Sequence, residues 1–240
     1  MSVPRLRIFA GPNGSGKSTL NQSLNQNLLG VYINPDEIEK EIIKNDYLDL
    51  TPFKITTTKE VLLSFFKSHA LIEKANLELE VNDLNYFDNK IDFHNIDVNS
   101  YFASVCADFI RQRLLELKIS FTFETVMSSP DKIELLKKAQ DLGYRTYLYF
   151  IATKDPIINI SRVENRVKMG GHKVPKEKII NRYYRSLELL SNAVKYSSRA
   201  YLFDNSSYDK VWIAEITNGK ELELKSEYIP TWLNTYLLEK

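Results

Sequence analysis

The chain has 240 residues, with 32 Lys plus Arg against 31 Asp plus Glu and a formal net charge of +1. This length can bury a substantial core, and we expect one domain, residues 1–240, that carries an insertion. The near-neutral charge gives no overall basic field that would favour nucleic acid or a membrane as a partner. The single cysteine, Cys106, excludes an internal disulfide, and no apolar run approaches the roughly 20 residues that span a bilayer. Since the first residues also lack the layout of a signal peptide, we expect a cytoplasmic protein.

Short β-branched and aromatic runs alternate with longer helical patterns, which indicates βαβ units on a mostly parallel sheet. We therefore predict an α/β fold with five central strands at 5–10, 30–34, 119–125, 145–152 and 199–204. Residues 210–229 are typical of a terminal hairpin with Asn218 and Gly219 as a two-residue turn, which would extend or cover a sheet edge.

Three helices after the third strand have recognisable ends, and they are predicted at 130–143, 156–170 and 175–197. Ser128 or Ser129 is expected to cap the first helix, and Asp155 the second. Residues 47–99 do not follow the alternation. They contain a helical stretch near 59–80 and then an acidic, turn-rich tract, so we interpret them as an insertion after the second strand.

The stretch "AGPNGSGKSTL" matches the phosphate-loop pattern G-x-x-x-x-G-K-[ST], and it lies between a predicted strand and a predicted helix. In such a loop the backbone N–H groups face phosphate oxygens, Lys17 reaches the β and γ oxygens, and Ser18 binds Mg²⁺. An ordinary Gly-rich turn is the alternative, and the strand–loop–helix context argues against it. The residues predicted to contact nucleotide here are Gly11, Pro12, Asn13, Gly14, Ser15, Gly16, Lys17, Ser18 and Thr19.

Two classes of phosphate-loop protein fit the sequence poorly. The stretch "NKID" at Asn89–Asp92 has the pattern that reads guanine in GTPases, but no buried strand precedes it and no glycine follows an aspartate by three residues. A mechanical ATPase would show a strand that ends in Asp or Asp-Glu, whereas the comparable strand here ends "FTFET" with Glu124. A small kinase remains.

Four segments in chain order support that assignment: "YINPDEI" (32–38), "SFTFETVMSS" (120–129), "ENRVKMGGHKVPKEKIINRYYRS" (164–186) and "DNS" (204–206). With the phosphate loop they resemble the bacterial zeta-toxin-like P-loop kinases over most of the chain except residues 47–99 and the terminal hairpin. The resemblance implies a three-layer α/β kinase fold, ATP and Mg²⁺ as cofactors, and a small-molecule acceptor. The zeta toxins phosphorylate the 3′-hydroxyl of the sugar in UDP-N-acetylglucosamine.

Asp36 follows the second strand, where a carboxylate can take the proton of an acceptor hydroxyl as that hydroxyl attacks phosphorus. From the residues alone, a general base and a cap of the next helix are equally good interpretations. The resemblance favours the base. It also makes Glu124 a ligand of the acceptor hydroxyl or of Mg²⁺, with Thr125 beside it as a further substrate-binding residue, and the alternative is a solvated strand end.

The 155–197 segment is predicted to form a helical lid whose arginines approach the nucleotide phosphates. Arg162 and Arg166 lie four residues apart and so share one helix face, and Arg182 follows on the second lid helix. We expect Arg166 and Arg182 to stabilise the transferred phosphate and Arg162 to contact the nucleotide, although a solvated basic face is the usual role of any single arginine. By the resemblance, Asn205 lies where related kinases hold adenine.

Two other functions stay open at this point. One is a kinase of another metabolite or of a nucleic-acid end, and the second of these acceptors is disfavoured by the charge. The other is a nucleotide-binding regulatory protein without transfer activity. The family resemblance brings an antitoxin protein into consideration, but no residue pattern in the chain indicates one.

Overall fold

A computed structural model describes residues 3–171 and 173–239 of the chain. His172, for which phosphate contact and a structural role are alternatives, lies outside the described residues. The chain divides into two compact units, one formed by Met1–Leu29 and Thr122–Lys240 and the other by Gly30–Phe121. Among the described residues, none of the helices has the length and apolar character needed to cross a bilayer.

The strands of the described residues are β1 (Arg5–Ala10), β2 (Val31–Ile33), β3 (Tyr47–Asp49), β4 (Asn85–Phe87), β5 (Lys90–Asp92), β6 (Phe121–Thr125), β7 (Arg145–Ala152), β8 (Arg199–Asp204), β9 (Val211–Thr217) and β10 (Glu221–Leu224). The α-helices are α1 (Lys17–Ser23), α2 (Pro35–Asn45), α3 (Lys59–Lys67), α4 (Ala70–Ala75), α5 (Ser100–Glu116), α6 (Asp131–Asp141), α7 (Pro156–Lys168), α8 (Lys176–Glu188), α9 (Leu190–Lys195) and α10 (Thr231–Leu233).

The first unit is built on a sheet with the strand order β10-β9-β8-β7-β1-β6. β7 pairs in parallel with both β1 and β8, whereas β9 runs antiparallel to β8 and β10 antiparallel to β9. The terminal hairpin therefore extends the parallel part of the sheet at one edge. The predicted α/β fold with a mostly parallel sheet is confirmed.

Register explains why the middle residues of the central strands are largely apolar. Ile8, Leu148 and Ala200 are aligned across β1, β7 and β8, and all three are fully buried. The next row on the same face includes Phe150, whose ring lies 6.1 Å from that of Trp232. Side chains alternate between the two faces of a strand, so a strand covered on both faces reads as a continuous apolar run.

The helix ends differ from the sequence-based expectation at two places. Pro130 occupies the N-cap position of α6 without a side-chain cap, so the expected Ser128 or Ser129 cap is wrong. The third predicted helix is interrupted at Leu189 and forms α8 and α9. The Asp155 cap is confirmed, because its Oδ1 accepts from the Ile157 N–H at 2.7 Å.

The hairpin loop is also longer than expected. Thr217 pairs with Glu221, which leaves three residues in the loop rather than two. Asn218 and Gly219 have φ values of 53° and 66°, the left-handed conformation that an Asn-Gly turn favours. The extra residue is Lys220, whose N–H donates to the Thr217 carbonyl at 3.1 Å.

The second unit contains β2, α2 to α5 and a small antiparallel sheet with the order β3-β5-β4. Residues 47–99 thus form short helices and a sheet rather than a long irregular tract. The Asn89 side chain of "NKID" is used within this unit, where Nδ2 donates to the Ile55 carbonyl at 2.9 Å and Oδ1 accepts from the Tyr86 hydroxyl at 2.7 Å. These bonds account for Asn89 without a guanine ligand.

We expect Phe150→Ala to lower the free energy of unfolding of the first unit by about 3–5 kcal/mol, because a fully buried ring is replaced by a cavity. Leu224→Ala on β10 is the matched control: this side chain is 45% exposed, and its loss should cost no more than about 0.5 kcal/mol. The measurement is urea unfolding followed by tryptophan fluorescence, since Trp212 and Trp232 both lie in the first unit. Equal effects of the two substitutions would contradict the assignment of Phe150 to the core.

Candidate functional site

The phosphate loop connects the end of β1, at Ala10, to the start of α1, at Lys17. The Lys17 ammonium folds back over the loop, where Nζ donates to the Gly11 carbonyl at 2.8 Å and to the Pro12 carbonyl at 3.0 Å. The Ser15 N–H also donates to the Pro12 carbonyl, at 3.2 Å. The loop thus folds around the Lys17 ammonium group. Lys17 is the residue that the motif predicts to reach the phosphate oxygens.

All three loop glycines approach neighbouring groups so closely that a side chain would not fit. A Cβ on Gly11 would lie 2.0 Å from the Ile151 carbonyl oxygen, one on Gly14 2.7 Å from the Asn159 carbonyl oxygen, and one on Gly16 2.3 Å from Asn205 Nδ2. All three have a positive φ, 139°, 74° and 98°, which other residues adopt at a cost. The close packing of neighbouring groups against the loop therefore explains why glycine occupies these positions of the motif.

Asparagine side chains hold the loop from two other elements. Asn205, which follows β8, donates through Nδ2 to the Ser15 carbonyl at 2.7 Å. Asn159, in the first turn of α7, donates to the Asn13 carbonyl at 2.6 Å. The sequence predicts Asn205 as a nucleotide ligand, whereas sequence reasoning misses Asn159. The signal that identifies it is its position: Asn159 and Val163 are four apart and are the buried residues of α7, so a polar side chain occupies the apolar stripe of that helix.

The two predicted metal ligands meet at the start of α1. Ser18 Oγ donates to Glu124 Oε2 at 2.9 Å, although the two residues are 106 positions apart in the chain. A hydroxyl and a carboxylate suit Mg²⁺, which binds few protein oxygens and takes its other ligands from phosphate and water. In the part of the chain that the structure describes, no cluster of three or more His, Cys, Asp or Glu offers a metal site. Thr125 Oγ1 accepts from the Met127 N–H at 3.0 Å and so fixes the turn after β6.

Two buried polar atoms of the loop, Asn13 Oδ1 and Ser15 Oγ, have no hydrogen-bond partner among the described residues, and neither has Arg162 Nη1 on α7. Buried polar groups in folded proteins are nearly always paired, so unpaired atoms in the loop indicate room for a polar ligand or for water. The hydrogen-bond donors of the loop thus fit a phosphorylated ligand, and the oxygens of Ser18 and Glu124 fit a hard cation.

The predicted lid consists of α7 and α8, which pack against each other and are joined by an ion pair of 2.9 Å between Lys176 and Glu164. Arg162 is half-buried and donates through Nη2 to the Ser207 carbonyl at 3.3 Å, close to Asn205 in the chain. Arg166 lies one turn later on α7 and is exposed, and Arg182 is half-buried on α8. Arg162 thus connects α7 to the segment that follows β8.

Asp36 lies in the second unit, at the second position of α2, and is exposed. The alternative that Asp36 caps this helix is wrong, because Asn34 is the cap and its Oδ1 accepts from the Asp36 N–H at 2.9 Å. The Asp36 carboxylate is thus not used as the cap of α2. Its role as a base stays a prediction.

The chain matches one protein family and several known proteins. A sequence model described as Zeta toxin matches residues 84–212, more than half of the chain. This match includes Glu124, the lid arginines and Asn205, and it lies after the phosphate loop and Asp36. An uncharacterized protein of Haemophilus influenzae is 24% identical over 176 residues, which are 73% of this chain and 90% of that protein.

Solved structures share the fold at low sequence identity. A chain of the PezAT chromosomal toxin–antitoxin system of Streptococcus pneumoniae aligns with a TM-score of 0.52 and 13% identity, over all of this chain and 80% of that one. A chain of the AvrRxo1-ORF1:ORF2 complex, crystallised with ATP, aligns with a TM-score of 0.54 and 14% identity. That alignment covers 93% of this chain but only 61% of the other, so this chain spans less than two thirds of its length.

We expect Gly14→Ala to weaken ATP binding by more than about tenfold, because the new Cβ would displace the loop from the Asn159 backbone. Gly143→Ala is a matched control, since Gly143 has a similar φ of 84° but a Cβ added there would meet no atom within 4 Å. Both variants carry the left-handed backbone cost of about 1–2 kcal/mol, so only the clash differs. Titration with a fluorescent ATP analogue measures the effect, and equal affinities of the two variants would refute it.

Proposed function

The chain belongs to the zeta toxin family of P-loop kinases, and we propose that it transfers the γ-phosphoryl group of ATP to a hydroxyl group of a small molecule. The observation that carries the proposal is the bond between Ser18 and Glu124 beside a loop that closes around the Lys17 ammonium. This bond joins the loop that we propose to hold nucleotide to the carboxylate that we propose to bind the metal, at one edge of the sheet. Asp36, Glu124 and the lid arginines together favour phosphoryl transfer over nucleotide binding alone.

ATP is the proposed phosphate donor. Its phosphates would lie on the loop N–H groups and the α1 N-terminus, with Lys17 beside the β and γ oxygens. The unpaired donors Ser15 Oγ and Arg162 Nη1 suit the phosphate oxygens of a bound nucleotide, whereas Asn13 Oδ1 is an acceptor and suits a water or hydroxyl group. The crystal structure of the AvrRxo1-ORF1:ORF2 complex with ATP supports this choice for the same fold.

Mg²⁺ is the proposed second cofactor, with Ser18 and Glu124 as its protein ligands. When bound, the cation neutralises charge on the phosphates during transfer. Before the cation binds, the Ser18 hydroxyl donates to the Glu124 carboxylate, and this bond keeps both ligands in place. The two residues lie on different elements, so the fold rather than local sequence sets their distance.

For the transfer itself we assign Asp36 as general base. Its carboxylate takes the proton of the acceptor hydroxyl while the hydroxyl oxygen bonds to the γ-phosphorus and the bond to the β–γ bridging oxygen breaks, which releases ADP. Lys17, Arg166 and Arg182 stabilise the charge of the transferred group. The Asp36 and arginine assignments rest on the family resemblance and on chemistry.

The favoured acceptor is a nucleotide sugar, UDP-N-acetylglucosamine by family resemblance. A different metabolite is the alternative, and the near-neutral charge makes a nucleic-acid end less suitable. The PezAT neighbour comes from a toxin–antitoxin system, and the AvrRxo1-ORF1:ORF2 neighbour was crystallised as a complex of two proteins. These two neighbours support an antitoxin-like protein as a partner for this chain as well. The cytoplasmic location expected from the sequence stays a prediction.

The test is incubation with ATP, Mg²⁺ and UDP-N-acetylglucosamine followed by mass spectrometry of the sugar nucleotide. We expect one added phosphate with the parent protein, and a rate at least about 100-fold lower for Asp36→Asn, which keeps the shape of the side chain but not its basicity. ATP binding by this variant should be unchanged.

Glu37→Gln is the matched control for that experiment, because Glu37 is the next exposed acid on α2 and should not alter the rate. Unchanged transfer by Asp36→Asn would disprove the base assignment. No added phosphate with the parent protein would exclude this acceptor, and ATP binding without turnover of any acceptor would favour the regulatory alternative.

We also expect Glu124→Gln to raise the Mg²⁺ concentration that gives half-maximal turnover by about tenfold, since the amide removes the negative charge that holds the cation. Glu134→Gln on α6, an exposed acid outside the loop, serves as the control and should not shift the Mg²⁺ curve. Initial rates against Mg²⁺ at saturating ATP measure both. If the two curves coincide, Glu124 is not a metal ligand.

A further inference from the structure

The phosphate loop keeps its shape through bonds to its carbonyl groups. Asn159 Nδ2 donates to the Asn13 carbonyl at 2.6 Å and Asn205 Nδ2 to the Ser15 carbonyl at 2.7 Å. Lys17 takes the Gly11 and Pro12 carbonyls, and the Gly16 carbonyl accepts from the Leu20 N–H at 3.3 Å. Every carbonyl from residue 11 to residue 16 except that of Gly14 is therefore in a described hydrogen bond.

Peptide geometry makes these bonds directional. In a planar trans peptide the C=O of one residue and the N–H of the next point in opposite directions. A donor on the Asn13 carbonyl therefore turns the Gly14 N–H away from Asn159, and a donor on the Ser15 carbonyl turns the Gly16 N–H away from Asn205. The two side-chain amides fix where two of the loop's phosphate-binding N–H groups point before any ligand arrives.

The amides are themselves held in place. Asn159 is fully buried, and its Oδ1 accepts from the Thr153 hydroxyl just after β7. The Thr153 carbonyl in turn accepts from the Tyr183 hydroxyl of α8 at 2.6 Å, and burial raises the pKa of Tyr183. The Asn205 backbone N–H donates to the Ala152 carbonyl at 2.8 Å. Both asparagines are thus anchored at the end of β7.

We propose that Asn159 and Asn205 are positioning residues, which orient the Gly14 and Gly16 N–H groups toward the phosphates of the bound nucleotide. This inference rests on the proposed function and adds two residues to it. It also gives Asn205 a task besides the adenine contact expected from the sequence, through the amide N–H that bonds to the Ser15 carbonyl. The contact of Asn159 links the loop to α7, the helix that carries Arg162 and Arg166.

The test compares the binding of ATP with that of tripolyphosphate, which has the phosphates but no base. We expect Asn159→Leu and Asn205→Leu to weaken both ligands by about tenfold each, the loss that one well-formed hydrogen bond accounts for. Isothermal titration calorimetry in the presence of Mg²⁺ gives the affinities. Asn181→Leu, at an exposed asparagine of α8, is the matched control and should bind both ligands like the parent.

Asn159→Asp and Asn205→Asp are the second pair of variants, because they preserve the side-chain shape and fold more readily. Each replaces the donor with an oxygen that repels the loop carbonyl, so both ligands should again bind at least about tenfold more weakly. In the kinase assay we expect a higher KM for ATP with a nearly unchanged kcat, since the oriented N–H groups bind substrate and transition state alike. A merely structural defect would lower the active fraction, and therefore kcat, at unchanged KM.

The outcomes distinguish a failure of the proposed function from a failure of the positioning role alone. If the parent binds neither ATP nor tripolyphosphate, the proposed function fails. If the parent binds both and the four variants bind tripolyphosphate as the parent does, the positioning role is wrong. If the Asn205 variants lose affinity for ATP alone, Asn205 contacts the base and does not orient the loop.

Discussion

The site depends on how closely the phosphate loop packs against the end of β7 and the first turn of α7. At this distance there is room for backbone but not for side chains: a Cβ on Gly11 would lie 2.0 Å from the Ile151 carbonyl oxygen of β7, and one on Gly14 2.7 Å from the Asn159 carbonyl oxygen of α7. The same closeness lets Asn159 and Asn205 reach the loop carbonyls directly. β7 is the neighbour of β1 in the sheet, so strand order rather than sequence proximity creates this contact.

The strands that the sequence predicts best lie in the parallel part of the sheet. The bounds of β1, β7 and β8 agree with the prediction at both ends: each begins at an exposed arginine and continues into an apolar and aromatic run, of which β1 is buried on both faces and β7 and β8 mainly on one. The helix interruption at Leu189 has no Gly or Pro signal, and the apolar pattern continues through it. At α6 the fixed φ of Pro130, −63°, lets the helix begin without the serine cap that the local sequence suggests.

The site is predictable where its chemistry is local and not where it depends on the fold. The loop motif is contiguous, and the sequence predicts Ser18 and Glu124 as metal ligands, but Asn159 reaches the loop from 146 residues away. The cap of α2 could have been found: proline favours the first helical position, so in "NPDE" the residue before Pro35 is the cap. That reasoning removes the structural alternative for Asp36 without any coordinates.

The proposed Mg²⁺ ligands of the first unit are few, and this has a consequence for how the proposed cation would bind. Ser18 and Glu124 supply one hydroxyl and one carboxylate, whereas Mg²⁺ requires six oxygen ligands in near-octahedral geometry. The remaining ligands must come from phosphate oxygens and water, so affinity for the cation depends on the nucleotide being present. A loop whose N–H groups are already oriented places the phosphates beside this pair. The proposed nucleotide and cation sites would therefore be coupled through the geometry of residues 11–18, and the amides that hold the loop carbonyls would act on both.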